Sequence, residues 1–160
     1  MEVVMFDRYE EKPAFTVTGQ SIETTHIEGA AFETIPQFWA QCHRDGTTKE
    51  LDALAPDTPF LGVCYGMQPS GVFHYMIAKE TGATTPHESL HIPAATWAVF
   101  VSVGPMPGAI QAVWQDDVVR FLSRPDITYA DLPDLEVYPC GDNKASNYRA
   151  EVWVAVRQSE

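Results

Sequence analysis

The sequence predicts an α+β fold of two β-α-β-β units that form a curved antiparallel sheet, with two helices and a ligand cleft between the halves. The chain has 160 residues, of which 45% are apolar, and this suits the core of one domain. Trp39 and Trp114 end similar segments that lie 75 positions apart, and both sides of the chain show the same order of elements. We therefore expect one domain over 1–160, with pseudo-repeats at about 10–80 and 90–157.

The first repeat is predicted as strand, helix, strand, strand. Its elements are expected over 14–25 (strand), 35–44 (helix), 60–66 (strand) and 73–80 (strand). The first of these strands is rich in Thr and Val, which favour extended structure. Pro36 is tolerated in the first turn of a helix, and Gly46 follows its end. Pro69 and Gly71 indicate the turn between the last two strands.

The second repeat is predicted in the same order. Its elements are expected over 92–103 (strand), 109–122 (helix), 135–138 (strand) and 149–157 (strand). A Gly-Pro-Met-Pro-Gly run at 104–108 separates the first strand from the helix, and a turn over 141–143 joins the last two strands. The segment 3–6 is expected to add an edge strand. We expect the core between helices and sheet, and the cleft on the opposite face of the sheet.

Charge narrows the range of partners. Ten basic and 22 acidic residues give a formal net charge of −12. Such a field repels nucleic-acid phosphates and anionic lipids, so neither direct nucleic-acid binding nor membrane binding is expected. It attracts cations, although an acidic surface also serves solubility.

The cysteines and the N-terminus indicate a cytoplasmic protein. Cys42, Cys64 and Cys140 are odd in number and widely spaced, so no disulfide framework is indicated. The N-terminus lacks the basic-then-apolar pattern of a secretory signal. The longest apolar stretch, near 97–103, is far shorter than the ~20 residues that cross a bilayer.

The sequence lacks the motifs of metal sites, nucleotide-binding sites and nucleophilic catalytic sites. The histidines are scattered without metal-ligand spacing: His26, His43, His74, His87 and His91. The chain contains no phosphate-binding loop, dinucleotide fingerprint or nucleophile elbow. Cys64 has no base beside it in the sequence and is interpreted as an inert buried thiol. We expect neither a cofactor nor a metal.

The last two strands separate apolar from polar side chains, because neighbouring strand residues point to opposite faces. The apolar faces carry Leu135, Val137, Val152, Val154 and Val156. The other faces carry Glu136, Tyr138, Glu151 and Trp153. We expect these last four residues to converge on one sheet surface. A buried carboxylate there would be costly unless a cationic ligand satisfied it, and Glu151 is the predicted counter-charge.

Other aromatic residues are candidates for the walls of the same cleft: Tyr65, Phe73, Tyr75, Trp97 and Phe100. An ordinary core role is an equal alternative for each of them. Glu151 could instead pair with Arg149 or with a lysine at the sheet edge, and Glu136 could be a solvated edge residue. Trp39 and Trp114 lie on helix faces and are interpreted as core residues.

Six segments occur in a characteristic order: KPAF at 12–15, IPxFW at 35–39, GVCYG at 62–66, IPAxTWAVF at 92–100, PDLEVY at 133–138 and EVWVAV at 151–156. Together they resemble the GyrI-like small-molecule-binding domain. This domain also forms the effector-binding half of AraC-type and MerR-type multidrug regulators. The resemblance spans nearly the whole chain.

The resemblance implies a duplicated fold that binds lipophilic cations, with a buried glutamate as counter-charge and Glu151 at the matching position. It also implies two alternatives. One is a hydrolase of cyclopropane-containing DNA-alkylating compounds, in which Glu151 would orient or deprotonate water. The other is a module that binds a protein partner such as gyrase. Because no helix-turn-helix precedes the domain, DNA binding is not expected, and a homodimer or a separate regulatory protein stays open as a partner.

Overall fold

The computed structural model describes residues 6–82 and 85–158, and an antiparallel β-sheet forms its centre. The strands are β1 (Phe6–Lys12), β2 (Phe15–Thr25), β3 (Phe60–Tyr65), β4 (Val72–Glu80), β5 (Glu88–Ile92), β6 (Ala95–Val103), β7 (Ile127–Tyr129), β8 (Asp134–Tyr138) and β9 (Arg149–Gln158). The predicted α+β class and the curved antiparallel sheet are confirmed. Residues 3–5 of the predicted edge strand lie outside the described residues, and Phe6 begins β1.

The helices are α1 (Ala31–Arg44), α2 (Thr47–Leu54), α3 (Gly108–Ala112) and α4 (Val119–Leu122). A π-helical segment (Val113–Val118) joins α3 to α4, and we call this continuous run, 108–122, the second helix. Both predicted helices are present, whereas α2 was not predicted. No helix among the described residues has the length and apolar character needed to cross a bilayer.

The strand order is the same on both sides of the sheet centre. The order is β1-β6-β9-β8-β3-β4-β2-β5, and β7 pairs with β9. Strands β6, β9 and β8 of the second half therefore mirror β2, β4 and β3 of the first. Each edge strand pairs with the opposite half, because β1 pairs with β6 and β5 pairs with β2. The segments that join edge strand to repeat are also alike, since 13–16 reads PAFT and 93–96 reads PAAT.

The predicted strand over 92–103 corresponds to β6, which begins three residues later, at Ala95. β5 ends at Ile92 and pairs with β2, whereas β6 begins at Ala95 and pairs with β1 and β9. Pro93 lies between them and has no backbone N–H to donate to a ladder, so it favours a break in pairing. β5 and β7 were not predicted.

The two faces of the sheet carry different packing. On one face, Val152, Val154 and Val156 pack with second-helix residues, and Phe73 and Ile77 pack with residues of α1 and α2. The other face carries a cluster without helix residues, formed by Val17, Leu61, Val63, Met76, Ala78, Ile92, Trp97, Val99, Leu135 and Ala155. The open cleft lies on the helix-bearing face. The prediction that it occupies the opposite face is therefore wrong, because that face is filled by its own side chains.

The register of β8 against β9 decides which acidic side chain reaches the cleft. Glu136 lies opposite Val152, and Val137 lies opposite Glu151. Directly paired residues share a face, so Glu136 points to the helix-bearing side and Glu151 to the other. The prediction that the two acids converge on one surface is wrong for this reason.

Candidate ligand-binding site

A cleft of about 920 Å³ lies between the two long helices, above the central strands β3 and β8. Its lining is largely apolar and aromatic. The side chains that line it include Phe32, Ile35, Pro36, Trp39, Phe60, Cys64, Phe73, Ile110, Gln111, Trp114, Asp134, Glu136 and Tyr138. Small-molecule sites commonly occupy ~300–1,000 Å³. The cleft is therefore large enough for a drug-sized ligand.

The two helices contribute matched residues to this lining. Pairs separated by 75 positions face the cleft, among them Phe32 and Pro107, Ile35 and Ile110, Pro36 and Gln111, and Trp39 and Trp114. A hydrogen bond from Gln111 Nε2 to the Phe32 carbonyl, 3.0 Å long, links the two helices directly. The cleft therefore has approximate two-fold symmetry in its walls.

Glu136 lies at the floor of the cleft and is only 5% exposed. Its Oε1 accepts hydrogen bonds from the hydroxyls of Tyr75 (2.6 Å) and Tyr138 (2.9 Å). Its Oε2 accepts one from Trp114 Nε1 at 2.8 Å. Trp39 Nε1 donates in turn to the Tyr75 hydroxyl at 2.9 Å. Both matched tryptophans therefore direct their indole N–H groups toward one carboxylate.

Within the described part of the chain, each hydrogen bond to this carboxylate comes from an uncharged donor. Burial raises the pKa of Glu136, and the hydrogen bonds from Tyr75, Trp114 and Tyr138 partly oppose that rise. Burial and the charge of Glu136 also raise the pKa of Tyr75 and of Tyr138 well above the ordinary tyrosine value, so both hydroxyls keep their protons and donate. Among the described residues, no basic side chain forms an ion pair with Glu136.

Gly62 makes this arrangement possible. It lies opposite Glu136 in the β3–β8 pair and opposite Ile77 in the β3–β4 pair. A Cβ at this position would overlap both the Tyr75 hydroxyl and Glu136 Oε1. A glycine in a strand often marks a close approach of this kind. Gly62 begins one of the six segments that resemble the family, but it was not predicted as a site residue.

Asp134 and Cys64 form the next cross-strand pair beside Glu136. Burial raises the pKa of Asp134 to about 7, against the effect of a hydrogen bond from the Tyr129 hydroxyl. Burial, reinforced by the charges of Glu136 and Asp134, raises the pKa of the Cys64 thiol well above its ordinary value. The thiol is therefore protonated at neutral pH, which favours the inert interpretation over a nucleophile.

Glu151, the predicted counter-charge, lies outside the cleft. Its Oε2 is 3.1 Å from Nη1 of Arg8, and its Oε1 accepts a hydrogen bond from Trp153 Nε1 at 3.0 Å. Pairing with Glu10, Glu151 and Asp7 raises the pKa of the Arg8 guanidinium. The charge of Glu151 is thus paired within the protein, as the alternative interpretation had it, but with Arg8 of β1 and not with Arg149 or a lysine. A hydrolytic role for Glu151 in the cleft has no geometric support.

The other predicted site residues divide into three groups. Phe73 and Tyr138 line the cleft, and Tyr75 reaches it through its hydroxyl on Glu136. Tyr65 lines a neighbouring pocket instead. Trp97 and Phe100 are fully buried in the core, and Trp153 is partly buried and packs against the cluster on the far face. The structure places none of these three side chains in the lining of the cleft.

The main cleft residues that were not predicted are Trp39 and Trp114. Both are half-buried and line the cleft, whereas they were interpreted as core. The signal that could have identified them was their matched spacing. Equivalent residues of two repeats come together where the repeats meet, and in this fold the repeats meet at the cleft. Within the described residues, no group of three His, Cys, Asp or Glu side chains could hold a metal ion.

Comparison with known proteins places this geometry in a family. A model of the family described as "Cass2: Integron-associated effector binding protein" matches residues 8–156. Curated proteins gave no match.

Three solved structures share the fold. One is SAV2435 bound to tetraphenylphosphonium, with a TM-score of 0.83, 22% identity and coverage of 94% of this chain and 93% of that one. The second is an integron cassette protein from the mobile metagenome of Vibrio cholerae, with a TM-score of 0.71, 21% identity and coverage of 94% and 95%. The third is the C-terminal domain of EcmrR, with a TM-score of 0.63, 11% identity and coverage of 94% and 96%.

Proposed function

The chain belongs to the Cass2 family of integron-associated effector-binding proteins, and from this premise we propose that its effector is a lipophilic organic cation held in the cleft with Glu136 as counter-charge. The observation that carries the proposal is the contact set of Glu136. Its carboxylate is almost fully buried, and its three hydrogen-bond donors are neutral.

A buried carboxylate without an opposite charge is energetically costly. The hydrogen bonds to Glu136 orient the group and lower part of that cost, but they add no positive charge. A cation in the cleft would supply it, in a setting where water competes less than at the surface. Glu136 therefore favours a positively charged guest over a neutral guest of the same shape.

The walls of the cleft suit the body of such a ligand. Trp39, Phe60, Phe73, Trp114 and Tyr138 present aromatic rings to the same space. Each ring that faces a cation contributes about 0.5–2 kcal/mol through cation–π attraction. A hydrophobic ligand would also remove the remaining apolar lining from water. This contribution to affinity is non-directional, so it does not require a ligand of one particular shape. We therefore expect several lipophilic cations to bind.

Two lysines, Lys49 and Lys144, also line the cleft. Both side chains are exposed, so water and salt screen their charges more than that of the buried Glu136. The structure of SAV2435 with tetraphenylphosphonium further supports the proposal, since that ligand is a lipophilic monocation and the fold is shared.

A matched pair of probes tests the proposal. Methyltriphenylphosphonium is a cation, and triphenylphosphine oxide is a neutral molecule with a similar aromatic body. We expect Glu136→Gln to lower affinity for the cation by about tenfold or more, equivalent to at least 1.4 kcal/mol, and to leave affinity for the oxide within about twofold. Isothermal titration calorimetry measures both.

Glu151→Gln is the control, because it removes a carboxylate of the same size outside the cleft. Its affinity for both probes should match the unmodified protein. Cation affinity that survives Glu136→Gln, or that falls equally in Glu151→Gln, would remove Glu136 from the proposed role. Thermal unfolding of each variant shows whether the fold is retained.

A further inference from the structure

A second pocket of about 370 Å³ adjoins the cleft. We call it the side pocket. The second helix contributes Val118, Val119 and Leu122 to it, and the loop that leads into β8 contributes Leu132. Four residues line both spaces: Cys64, Met67, Trp114 and Asp134. The two spaces therefore share a wall and are not separate sites on distant surfaces.

Asp134 is the acidic residue of this shared wall. It precedes Glu136 by two positions in β8, so the two carboxylates lie on the same side of the strand, about 6–7 Å apart along it. The β3 residue opposite Asp134 is Cys64, whose thiol brings no positive charge. Among the described residues, no basic side chain forms an ion pair with Asp134.

The hydrogen bonding of Asp134 is also incomplete. Its side-chain donor among the described residues is the Tyr129 hydroxyl, 3.0 Å from Oδ1. The same hydroxyl lies 3.0 Å from the Leu132 carbonyl, and a hydroxyl has one hydrogen to donate. Tyr129 therefore divides its proton between two acceptors. By comparison, Glu136 accepts from three separate donors.

We propose that the cleft and the side pocket together form one two-compartment site for an elongated organic dication, with one positive charge on Glu136 and the second on Asp134. This inference rests on the proposed function of the cleft. Trp114 lies between the compartments and lines both, so its ring can contact the linker of such a ligand. The apolar residues of the second helix would surround the smaller cationic head.

The electrostatics of Asp134 agree with this geometry. Burial is the main cause of its raised pKa, and the neighbouring charges of Glu136 and Asp131 add to the rise. A positive group in the side pocket would relieve all three effects at once. The same group would gain little from Glu136 alone, because attraction weakens with distance.

Two isosteric probes test the inference. The dication is triphenylphosphonium joined by a four-carbon chain to trimethylammonium. The matched monocation carries a tert-butyl group in place of trimethylammonium. Near pH 8, where most Asp134 is ionised, we expect the protein to bind the dication about fivefold or more tightly than the monocation. Calorimetric titration gives the ratio directly.

Two variants locate the second charge. Asp134→Asn should reduce the dication preference to within about twofold of unity, because it removes the second carboxylate and keeps the shape of the side chain. Val119→Trp should reduce the preference as well, because residue 119 lines the side pocket and not the cleft, and its side chain is exposed enough to accept a larger one.

The outcomes separate this inference from the proposed function. Equal affinities of the unmodified protein for both probes would overturn it, as would a preference that survives Asp134→Asn. If Glu136→Gln left the affinity for both probes unchanged, the proposed function would fail instead. Equal weakening of both probes by Asp134→Asn would show that Asp134 acts only through the general field of the cleft, which also overturns the inference.

Discussion

The two repeats bring the same scaffold to the site but different chemistry. At the centre of the sheet, where β3 of the first repeat pairs with β8 of the second, Gly62 faces Glu136. These positions are equivalent in the two halves. The first repeat contributes Gly62, which leaves space at the floor of the cleft, and the second contributes the carboxylate of Glu136. A symmetric cleft can therefore hold a single buried carboxylate, because its symmetry mate is the one residue without a side chain.

The same division continues in the flanking strands. Tyr75 of β4 corresponds to Ala150 of β9, 75 positions later. The tyrosine donates its hydroxyl proton to Glu136, whereas the alanine is fully buried beneath the second helix. The first repeat thus contributes a donor to the charge that the second repeat carries. Matched elements of the two halves form the cleft, and differences at a few matched positions make its floor polar.

The long helices also differ. α1 is regular from Ala31 to Arg44, whereas the second helix contains a π-helical segment that includes Trp114. Single π-helical turns often occur at functional sites, because they re-aim side chains within a helix. Trp114 donates directly to Glu136, whereas Trp39 reaches it through Tyr75. The matched tryptophans therefore have unequal roles.

The largest expected effect comes from giving a side chain to Gly62, the glycine in β3 of the first repeat. Gly62→Ala places a Cβ into the space of the Tyr75 hydroxyl and Glu136. We expect a loss of about 1–3 kcal/mol in the free energy of unfolding, together with at least tenfold weaker cation binding, because overpacking forces both polar groups from their positions. Urea unfolding and calorimetric titration measure the two effects.

Gly82→Ala is the matched control, since nothing lies within 4 Å of a Cβ at that position. Its stability should stay within about 0.5 kcal/mol of the unmodified protein, and its cation affinity should not change. If Gly62→Ala behaved like Gly82→Ala, the close approach at the centre of the sheet would not control the site.

The alternation of residue types predicted which side chains share a face of one strand, but it did not predict the register between neighbouring strands. Val152 and Val154 do pack with the second helix, as their spacing predicts. Alternation fixes no register between neighbouring strands, and a shift of one residue moves a whole set of side chains to the other face. In the observed register Glu136 shares the cleft face with Val152, whereas Glu151 shares the opposite face with Val137. The family resemblance did not correct the choice of Glu151 over Glu136, because both acids lie in segments that carry the resemblance.

The tryptophans illustrate the opposite limit. Their matched spacing was visible, and both helices were predicted, yet a large aromatic residue on an apolar helix face is normally core. What decides the matter is whether the space opposite is filled. For Trp97 it is filled, and for Trp39 it is open cleft. Packing between distant segments determines this difference, so a single sequence pattern does not contain it.

The second prediction uses pH to separate the charge of the second repeat from the rest of the cleft. Burial raises the pKa of Glu136 in the free protein, and a bound cation would lower it. Binding should therefore release a proton where the pH lies between the lower pKa of the complex and the raised pKa of the free protein. Affinity for tetraphenylphosphonium should fall by up to about tenfold per pH unit as the pH drops through that range, and should be constant above it.

Titrations in buffers of different ionisation enthalpy measure both affinity and proton release. Asp134 and Cys64 also titrate beside Glu136, so Glu136→Gln and Asp134→Asn are both compared. Glu136→Gln should abolish the steep dependence, and Asp134→Asn should keep it. The reverse result would assign the dependence to Asp134. Because the folded-state pKa of Glu136 is raised, its contribution to stability falls as the pH rises from the ordinary glutamate pKa to the raised one, and Glu136→Gln should lack that pH-dependent loss.

The smallest expected effect tests the inequality of the matched tryptophans. Trp114→Phe removes a direct donor to Glu136, whereas Trp39→Phe removes a donor to Tyr75 and leaves the hydrogen bonds from Tyr75, Tyr138 and Trp114 to Glu136 in place. Loss of a hydrogen bond to a charged group costs about 1.5–3 kcal/mol, against about 0.5–1.5 kcal/mol for one between neutral groups. Trp114→Phe should therefore weaken binding of tetraphenylphosphonium about threefold more than Trp39→Phe does. Quenching of tryptophan fluorescence by the ligand should follow the same order. Trp114→Phe should lose more of the quenching than Trp39→Phe, because Trp114 is the indole that contacts Glu136. Equal losses in the two variants would mean that the π-helical segment confers no special position on Trp114, and that the two repeats contribute to the walls as equals even though their floors differ.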